Sequence, residues 1–380
     1  MLKKSTKIRA LTIVSAASLV GSLAACGSST TSGGGSTDAD VLTTAEEQVA
    51  ALYEGTEGTP PTDGPAAVSG KKVWVISCGQ AAVGCSVPTN AAVDAANEIG
   101  WDTTLYDGAF GANDGYNNGI RQAVAAGTDG IILIDVACGS VEQSLTEAQT
   151  AGIQVMSYEG HPCEDDATLT NELQYNSDIT SGEAFATSIG EANAWYLIDQ
   201  LGGEGTVLDF QFVDNQYAMA LDAGFQRVME TAPGISVETA TINLSDYSNP
   251  STFQQKTSAA LLGAPTATGI NAPFASFILG GVGQAVTSSG REIATITGDG
   301  YEANMTQIAS GRGQTAAMAY DSTWIGWALV DSLNRLLAGQ QPVPAGIGLK
   351  LVDKDHNLPS SGDYATSVDF KTAYEAIWEG

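Results

Sequence analysis

Apolar residues come along this chain in short unbroken runs, each followed by a polar tip and then a segment of helical period. The clearest run is Gly130-Ile131-Ile132-Leu133-Ile134, four branched side chains with no polar alternation, the pattern of a strand buried on both faces of a parallel sheet. It stops at Asp135, and a helical pattern resumes at Val141. Ligand crevices in open α/β sheets lie just beyond the carboxyl ends of strands, so an acid at such an end is a candidate for binding chemistry. The same unit recurs around it: strands at 72–77, 103–106 and 153–158, with helices at 88–99, 114–126 and 141–151 stopped by Gly100, Gly127 and Gly152. Four such units predict a doubly wound α/β domain with right-handed crossovers.

A second series follows. Strands are expected at 173–176, 205–212, 237–242, 269–271, 293–297 and 315–319, and a last one at 346–352. Helices fit at 181–201, 219–230, 250–262, 276–288 and 322–337. Two successive α/β domains of about 150 residues each match the usual domain size. Before them, 41–53 carries Val41, Leu42, Val49 and Leu52 at roughly helical spacing, and 54–70, with Pro60, Pro61 and Pro65, reads as linker.

The start of the chain is different. Lys3, Lys4, Lys7 and Arg9 precede a largely apolar run from Ala10 to Ala25, too short and too closely followed by small residues for a membrane span. The run ends Leu23-Ala24-Ala25-Cys26-Gly27, which resembles the lipobox of bacterial lipoproteins. That resemblance implies a signal peptide at 1–25, acylation of Cys26, and anchoring to the outer face of the cell membrane without spanning it. Residues 27–40, rich in Gly, Ser and Thr, read as a flexible tether. Without 1–25 the chain keeps eleven basic against 43 acidic residues, a formal charge of −32. Such a balance, with no basic patch, argues against a nucleic-acid partner. Cys78, Cys85, Cys138 and Cys163 remain, an even number for an oxidising compartment, and three pairings are possible. Cys78–Cys85 with Cys138–Cys163 is favoured, because each pair joins strand-end loops on one side of one sheet. A metal site would need Cys and His at ligand spacing; only His161 lies near and no Cys-x-x-Cys occurs, so no metal and no cofactor is expected.

From Lys71 onward the order of units resembles the type I periplasmic solute-binding proteins, the ribose- and galactose-binding branch of ABC sugar transporter lipoproteins. The stretches that carry the resemblance are Ala125-Ala126-Gly127-Thr128-Asp129-Gly130-Ile131-Ile132-Leu133, Ala148-Gln149-Thr150-Ala151-Gly152-Ile153-Gln154-Val155, Leu201-Gly202-Gly203-Glu204-Gly205, Ile296-Thr297-Gly298-Asp299-Gly300 and Lys350-Leu351-Val352-Asp353-Lys354. It implies two doubly wound parallel-sheet lobes joined by three hinge crossings, near 160–172, Tyr320 and 342–346. The first lobe would be 71–159 plus 321–344, and the second 160–320 plus 345–380, after a lipidated tether and short helix at 26–70. It also implies a monomer that closes on a small ligand and delivers it to an ABC permease, with no bond made or broken. A ligand-sensing role for a membrane receptor uses the same closed form and stays open.

Carried onto this sequence, the family's contacts fall at Gln80, Asp135, Glu159, Phe274, Asp299 and Tyr320. Two departures stand out: Gly160 replaces an Arg after Glu159, and Met219 stands where the second lobe would carry another. The Asn-Asp expected near Phe274-Ala275 is also missing. What is left is carboxylates and aromatic rings, which suit a polyol, and equally a cationic or aromatic ligand. Each residue has a plainer reading: Asp135 as a helix cap, Glu159 as a solvated loop residue, Asp299 as a turn residue, Trp324 and Trp327 as packing. An enzyme is not expected. The chain holds no Gly-x-Ser-x-Gly, phosphate-loop or His-Glu-x-x-His pattern, and its two histidines, His161 and His356, lie in loop-like segments.

Overall fold

The computed structural model describes residues 38–380; Cys26, the signal segment and most of the tether lie outside them. Helix α1 (Asp38–Glu54) precedes the first lobe. That lobe runs β1 (Lys72–Ser77), α2 (Val83–Glu98), β2 (Asp102–Asp107), α3 (Gly115–Ala125), β3 (Gly130–Ile134), α4 (Glu142–Thr150), β4 (Gln154–Tyr158) and β5 (Asn171–Glu172). The second lobe begins with α5 (Gly182–Gln200), β6 (Gly205–Phe212), α6 (Gln216–Met229), β7 (Ile235–Ile242), α7 (Leu244–Tyr247) and α8 (Pro250–Gly263). It continues through β8 (Gly269–Ala272), α9 (Ala275–Phe277), α10 (Gly283–Ser289), β9 (Ala294–Gly298), α11 (Glu302–Ser310) and β10 (Ala316–Ala319). The chain then returns to the first lobe in α12 (Ser322–Leu337), to the second in β11 (Lys350–Asp353), and to the first again in α13 (Phe370–Glu379).

The sheets have strand orders β2-β1-β3-β4-β5 and β11-β10-β9-β8-β6-β7, parallel throughout except for β10 against β11. As the unbroken apolar run predicts, β3 is central and fully buried. Both sheets reverse order beside their first strands, and the strand tips there face one interlobe crevice.

Several boundaries move. The short strand is Asn171–Glu172 rather than 173–176, and it pairs with β4 in the first sheet (Met156↔Asn171, Ser157↔Glu172). Residues 160–172 therefore stay with the first lobe, and the crossing lies just beyond them. Helix α2 starts at Val83, before the expected 88, with Pro88 inside it. The N–H that proline lacks is the one that would bond the Gly84 carbonyl, so only one helical bond is lost. The helix expected at 276–288 is broken by a π turn at Ile278–Val282. A β-carbon on Gly281 would stand 2.5 Å from Thr257 Oγ1, so α8 presses on the chain there. The tail is not all second lobe: α13 lies on α12, with Phe370 stacked on Trp324 at 5.4 Å and Trp378 Nε1 donating to Asp331 Oδ1 at 3.1 Å. Trp324 and Trp327 are core, which fits their plainer reading.

The stretch 55–68 is not slack. Helix α1 packs on α5 and β11 of the second lobe. From there Thr56 N donates to Leu349 O at 2.9 Å and Gly58 N to Gly346 O at 2.8 Å. Farther on, Arg335 Nη2 holds Asp63 O at 2.6 Å, Asn334 Oδ1 accepts from Val68 N at 2.9 Å, and β1 begins. The segment is a strap laid along the 342–349 crossing, a further covalent path between the lobes beside the four crossings that follow it in the chain.

Candidate functional site

The site is built from strand tips. Asp135, Glu159 and Asp299 each follow directly on a buried strand, β3, β4 and β9, and each takes a left-handed backbone, with φ of 49°, 58° and 66°. A residue with a β-carbon is held there at a cost on the order of 1–3 kcal/mol, a form of strain that clusters at ligand clamps. The tips enclose a cavity of about 380 Å³ to which both lobes contribute. The first lobe brings Asp135 and Glu159 with Phe110 and Tyr116; the second brings Asp299, Asn215, Tyr217 and Phe274.

Contacts across the crevice are direct. Asn215, the N-cap of α6, accepts from Ala218 N at 2.8 Å with its oxygen and donates from Nδ2 to Asp135 Oδ1 at 3.1 Å. Phe110 meets Tyr247 edge-on at 6.3 Å. The Tyr320 hydroxyl donates toward Asp299 Oδ1 at 2.5 Å, has Glu159 Oε1 at 3.3 Å, and accepts from the Tyr158 hydroxyl at 3.2 Å. Asp299 Oδ2 also accepts from Ala275 N at 3.0 Å.

The walls are aromatic. Tyr217 stacks on Phe274 with centroids 6.2 Å apart and planes 18° apart, and Phe212 stands perpendicular to Phe274 at 6.3 Å. Tyr217 is 2% exposed and its hydroxyl has no hydrogen-bond partner.

The electrostatics are one-sided. The lining holds no Lys, Arg or His. Burial, then the neighbouring Asp299 charge, pushes the Asp135 carboxyl up to about 7. Burial, followed by repulsion from Asp135 and Asp299, pushes Glu159 well above the usual carboxylate range. Asp299 is raised by burial, opposed by its bonds from Tyr320 and Ala275. Among the described residues no cluster of His, Cys, Asp and Glu could hold a metal ion.

Of the six residues read from the sequence, four line the cavity: Asp135, Glu159, Phe274 and Asp299. Tyr320 lies behind the wall and acts through the acids. Gln80 is not in the lining: its backbone N–H is tied to Asp107 Oδ1 at 3.1 Å, and Phe110 lies so close over Gly79 that a β-carbon there would stand 2.6 Å from its ring. Phe110 takes that stretch of wall instead. Cys78 is joined to Cys85 and Cys138 to Cys163, with Cα–Cα distances of 5.6 and 4.9 Å, and the first bridge is itself part of the lining. Gly160 has no room for the arginine of the resemblance, since its β-carbon would meet Ser157 Oγ at 2.3 Å and Val136 O at 2.5 Å. Met219 is 52% exposed and outside the cavity. Asn215 and Tyr247 were not singled out; the N-cap position of Asn215 before α6 was the only signal for either.

The chain belongs to the periplasmic binding protein domain family, which it matches over residues 81–341. Members of this family bind solutes; they are not enzymes. Solved structures of the same fold include an ABC transporter solute-binding protein from Mycobacterium smegmatis with bound glycerol, 21% identical with a TM-score of 0.66, covering 78% of this chain and 100% of the other. An arabinose-binding component from Shewanella sp. ANA-3, bound to L-arabinofuranose, is 17% identical with a TM-score of 0.61, covering 80% and 95%. A solute-binding protein from Burkholderia graminis C4D1M in complex with D-arabinose is 19% identical with a TM-score of 0.64, covering 80% and 99%. No curated protein sequence matches the chain significantly. No described helix is long and apolar enough to cross a membrane.

Proposed function

We propose that this protein captures a small polyhydroxylated solute of sugar size between its lobes, outside the cytoplasm, and presents the closed form to an ABC-type importer while lipidated Cys26 holds it at the membrane. The observation that carries the reading is the cavity at the strand tips of both sheets. Its volume of about 380 Å³ falls in the range of small-ligand sites, and it pairs ring faces with carboxyl groups able to bond hydroxyls. Closure is then a shift between open and closed populations, driven by contacts the ligand makes with both lobes. Glycerol, arabinofuranose and arabinose in the structural neighbours are consistent with this class of solute.

A thermal-shift screen of the mature chain, carrying Cys26→Ser, against pentoses, hexoses, polyols and amino sugars tests it. A ligand at about 100 times its Kd adds roughly 2.7 kcal/mol, readily seen as a raised melting point. No shift with any member of the panel would remove the reading.

A further inference from the structure

We infer that the solute this site selects carries a positive charge: a small organic amine or amino sugar, its nitrogen held among Asp135, Glu159 and Asp299 and its carbon body against the Tyr217–Phe274 stack. The inference rests on the two-lobe capture in the reading above and assigns the ligand by its charge, whether or not it carries hydroxyls.

The first observation is the imbalance between acceptors and donors. Three carboxyl groups, Asp299 buried and Asp135 and Glu159 half-buried, face one cavity whose lining offers no cationic side chain. Several of the donors nearby are already committed, though the Tyr217 hydroxyl and the Gln216 amide of the lining are not. Asn215 is committed at both ends, its oxygen to the α6 backbone and its nitrogen to Asp135. The single proton of the Tyr320 hydroxyl lies between Asp299 at 2.5 Å and Glu159 at 3.3 Å, and the shorter contact takes it. Glu159 is thus left with the longer Tyr320 contact and the nearby Tyr158 hydroxyl, and with acceptor capacity to spare. A neutral sugar needs donors for its oxygens as well as acceptors for its hydroxyl protons; the ionised carboxylates weight this cavity toward acceptors. An ammonium group brings donors only, and its charge is opposite to that of the site.

The second observation is Tyr217. Its hydroxyl is buried and unpartnered, it belongs to the cavity lining, and the charges that act on it include those of Glu159, Asp299 and Asp135. A buried hydroxyl without a partner costs free energy unless something fills its position, so a polar ligand atom is expected there. Its ring is stacked with Phe274, which Phe212 meets edge-on, and all three rings line the cavity, the kind of aromatic wall that recognises ammonium groups.

The test is calorimetry on the mature Cys26→Ser chain with matched pairs that differ in charge: D-glucosamine and D-glucose, D-galactosamine and D-galactose, choline and 3,3-dimethyl-1-butanol, putrescine and 1,4-butanediol. At least one cation should bind ten times more tightly than its neutral partner, or better. Glu159→Gln and Asp299→Asn should each weaken that binding by about tenfold or more. Tyr217→Phe should weaken it several-fold while leaving the melting point of the free protein unchanged or higher, since the hydroxyl has no partner to lose. That variant keeps the test decisive should either carboxylate variant fold poorly. A neutral member that binds as tightly as its cation would overturn the inference and leave the solute-capture reading standing. If no cation binds, the inference is likewise overturned, and the neutral sugars and polyols in the thermal-shift screen separately decide the broader reading.

Discussion

Replacing Tyr320 by Phe removes one oxygen atom and leaves the ring, which packs edge-on against Phe185 at 5.1 Å. The lost hydroxyl is the side-chain donor to Asp299 Oδ1 at 2.5 Å. Asp299 keeps only the Ala275 N–H on its other oxygen. A hydrogen bond to a charged acceptor is worth about 1.5–3 kcal/mol, and one between neutral groups about 0.5–1.5 kcal/mol. The cost of the substitution should therefore depend on whether Asp299 is ionised. With Asp299 ionised at pH 8 we expect a loss of about 1.5–3 kcal/mol, and at about pH 3, below the ordinary aspartate value above which burial holds this carboxyl, about 1 kcal/mol. The measurement is urea unfolding of the ligand-free protein at both pH values, reading the shift in midpoint at unchanged slope. Equal losses at the two pH values, or a loss under about 0.5 kcal/mol at pH 8, would show that the hydroxyl does not hold a carboxylate.

Two further outcomes follow from the geometry. A β-carbon on Gly348 would stand 2.2 Å from the Thr56 carbonyl carbon and 2.3 Å from Glu57 N, so Gly348→Ala should push the strap off its crossing. Losing two backbone bonds and the Thr56 Oγ1–Leu349 N contact costs about 2–4 kcal/mol, and limited proteolysis should now cut within 55–68; unchanged resistance would deny that the strap is docked. The second concerns pH. Asp135 is pushed up to about 7 and Asp209 to about 8, the latter by burial and then by the Asp222 charge. Both are raised, so the folded state binds more protons than the unfolded one, and stability of the ligand-free protein should fall as pH rises from about 4 through about 8. Asp209→Asn should flatten the upper part of that slope, and a melting point that climbs between pH 5 and 8 would contradict the assignment.

The acids of the site were legible because a buried parallel strand announces its own end. An unbroken apolar run closing on a single acid, as in Ile134-Asp135 or Tyr158-Glu159, fixes both the residue and the edge of the sheet on which it stands. The walls were harder to read. Phe110 comes from an irregular turn and Tyr247 from the four-residue helix α7, both too short for a period to mark which ring faces inward. Gln80 misled because sequence places the loop after β1 at the crevice but cannot say that Phe110 will cover it. The strap was misread for a related reason: Gly and Pro at 54–70 report the freedom of an isolated chain, while its order comes from carbonyls nearly 300 residues away. Helix α13 carried a readable stripe, with Phe370, Tyr374, Ile377 and Trp378 all buried on one face, which was overlooked.

The way the acids are divided between the lobes bears on how closure is controlled. Asp135 and Glu159 belong to the first lobe and Asp299 to the second, so bringing the lobes together concentrates like charges in a space that excludes water. Two unit charges 4 Å apart near a protein surface interact by about 4 kcal/mol. Of the contacts that span the crevice, Phe110 to Tyr247 offers about 1 kcal/mol and the bond from Asn215 to an ionised Asp135 about 1.5–3 kcal/mol. An empty site with its carboxylates ionised therefore resists closing, and protonation of Glu159 or Asp135 relieves that resistance. A cation does more than relieve it, because each repulsive pair gains an attractive partner from both lobes at once. Moving a two-state equilibrium from 1:99 to 99:1 takes about 5.5 kcal/mol of differential affinity, which is the scale of converting one such repulsion into an attraction. On this reading the acidic tips serve as the lock on the empty form as well as the grip on the ligand, and a neutral solute would have to close the lobes against them.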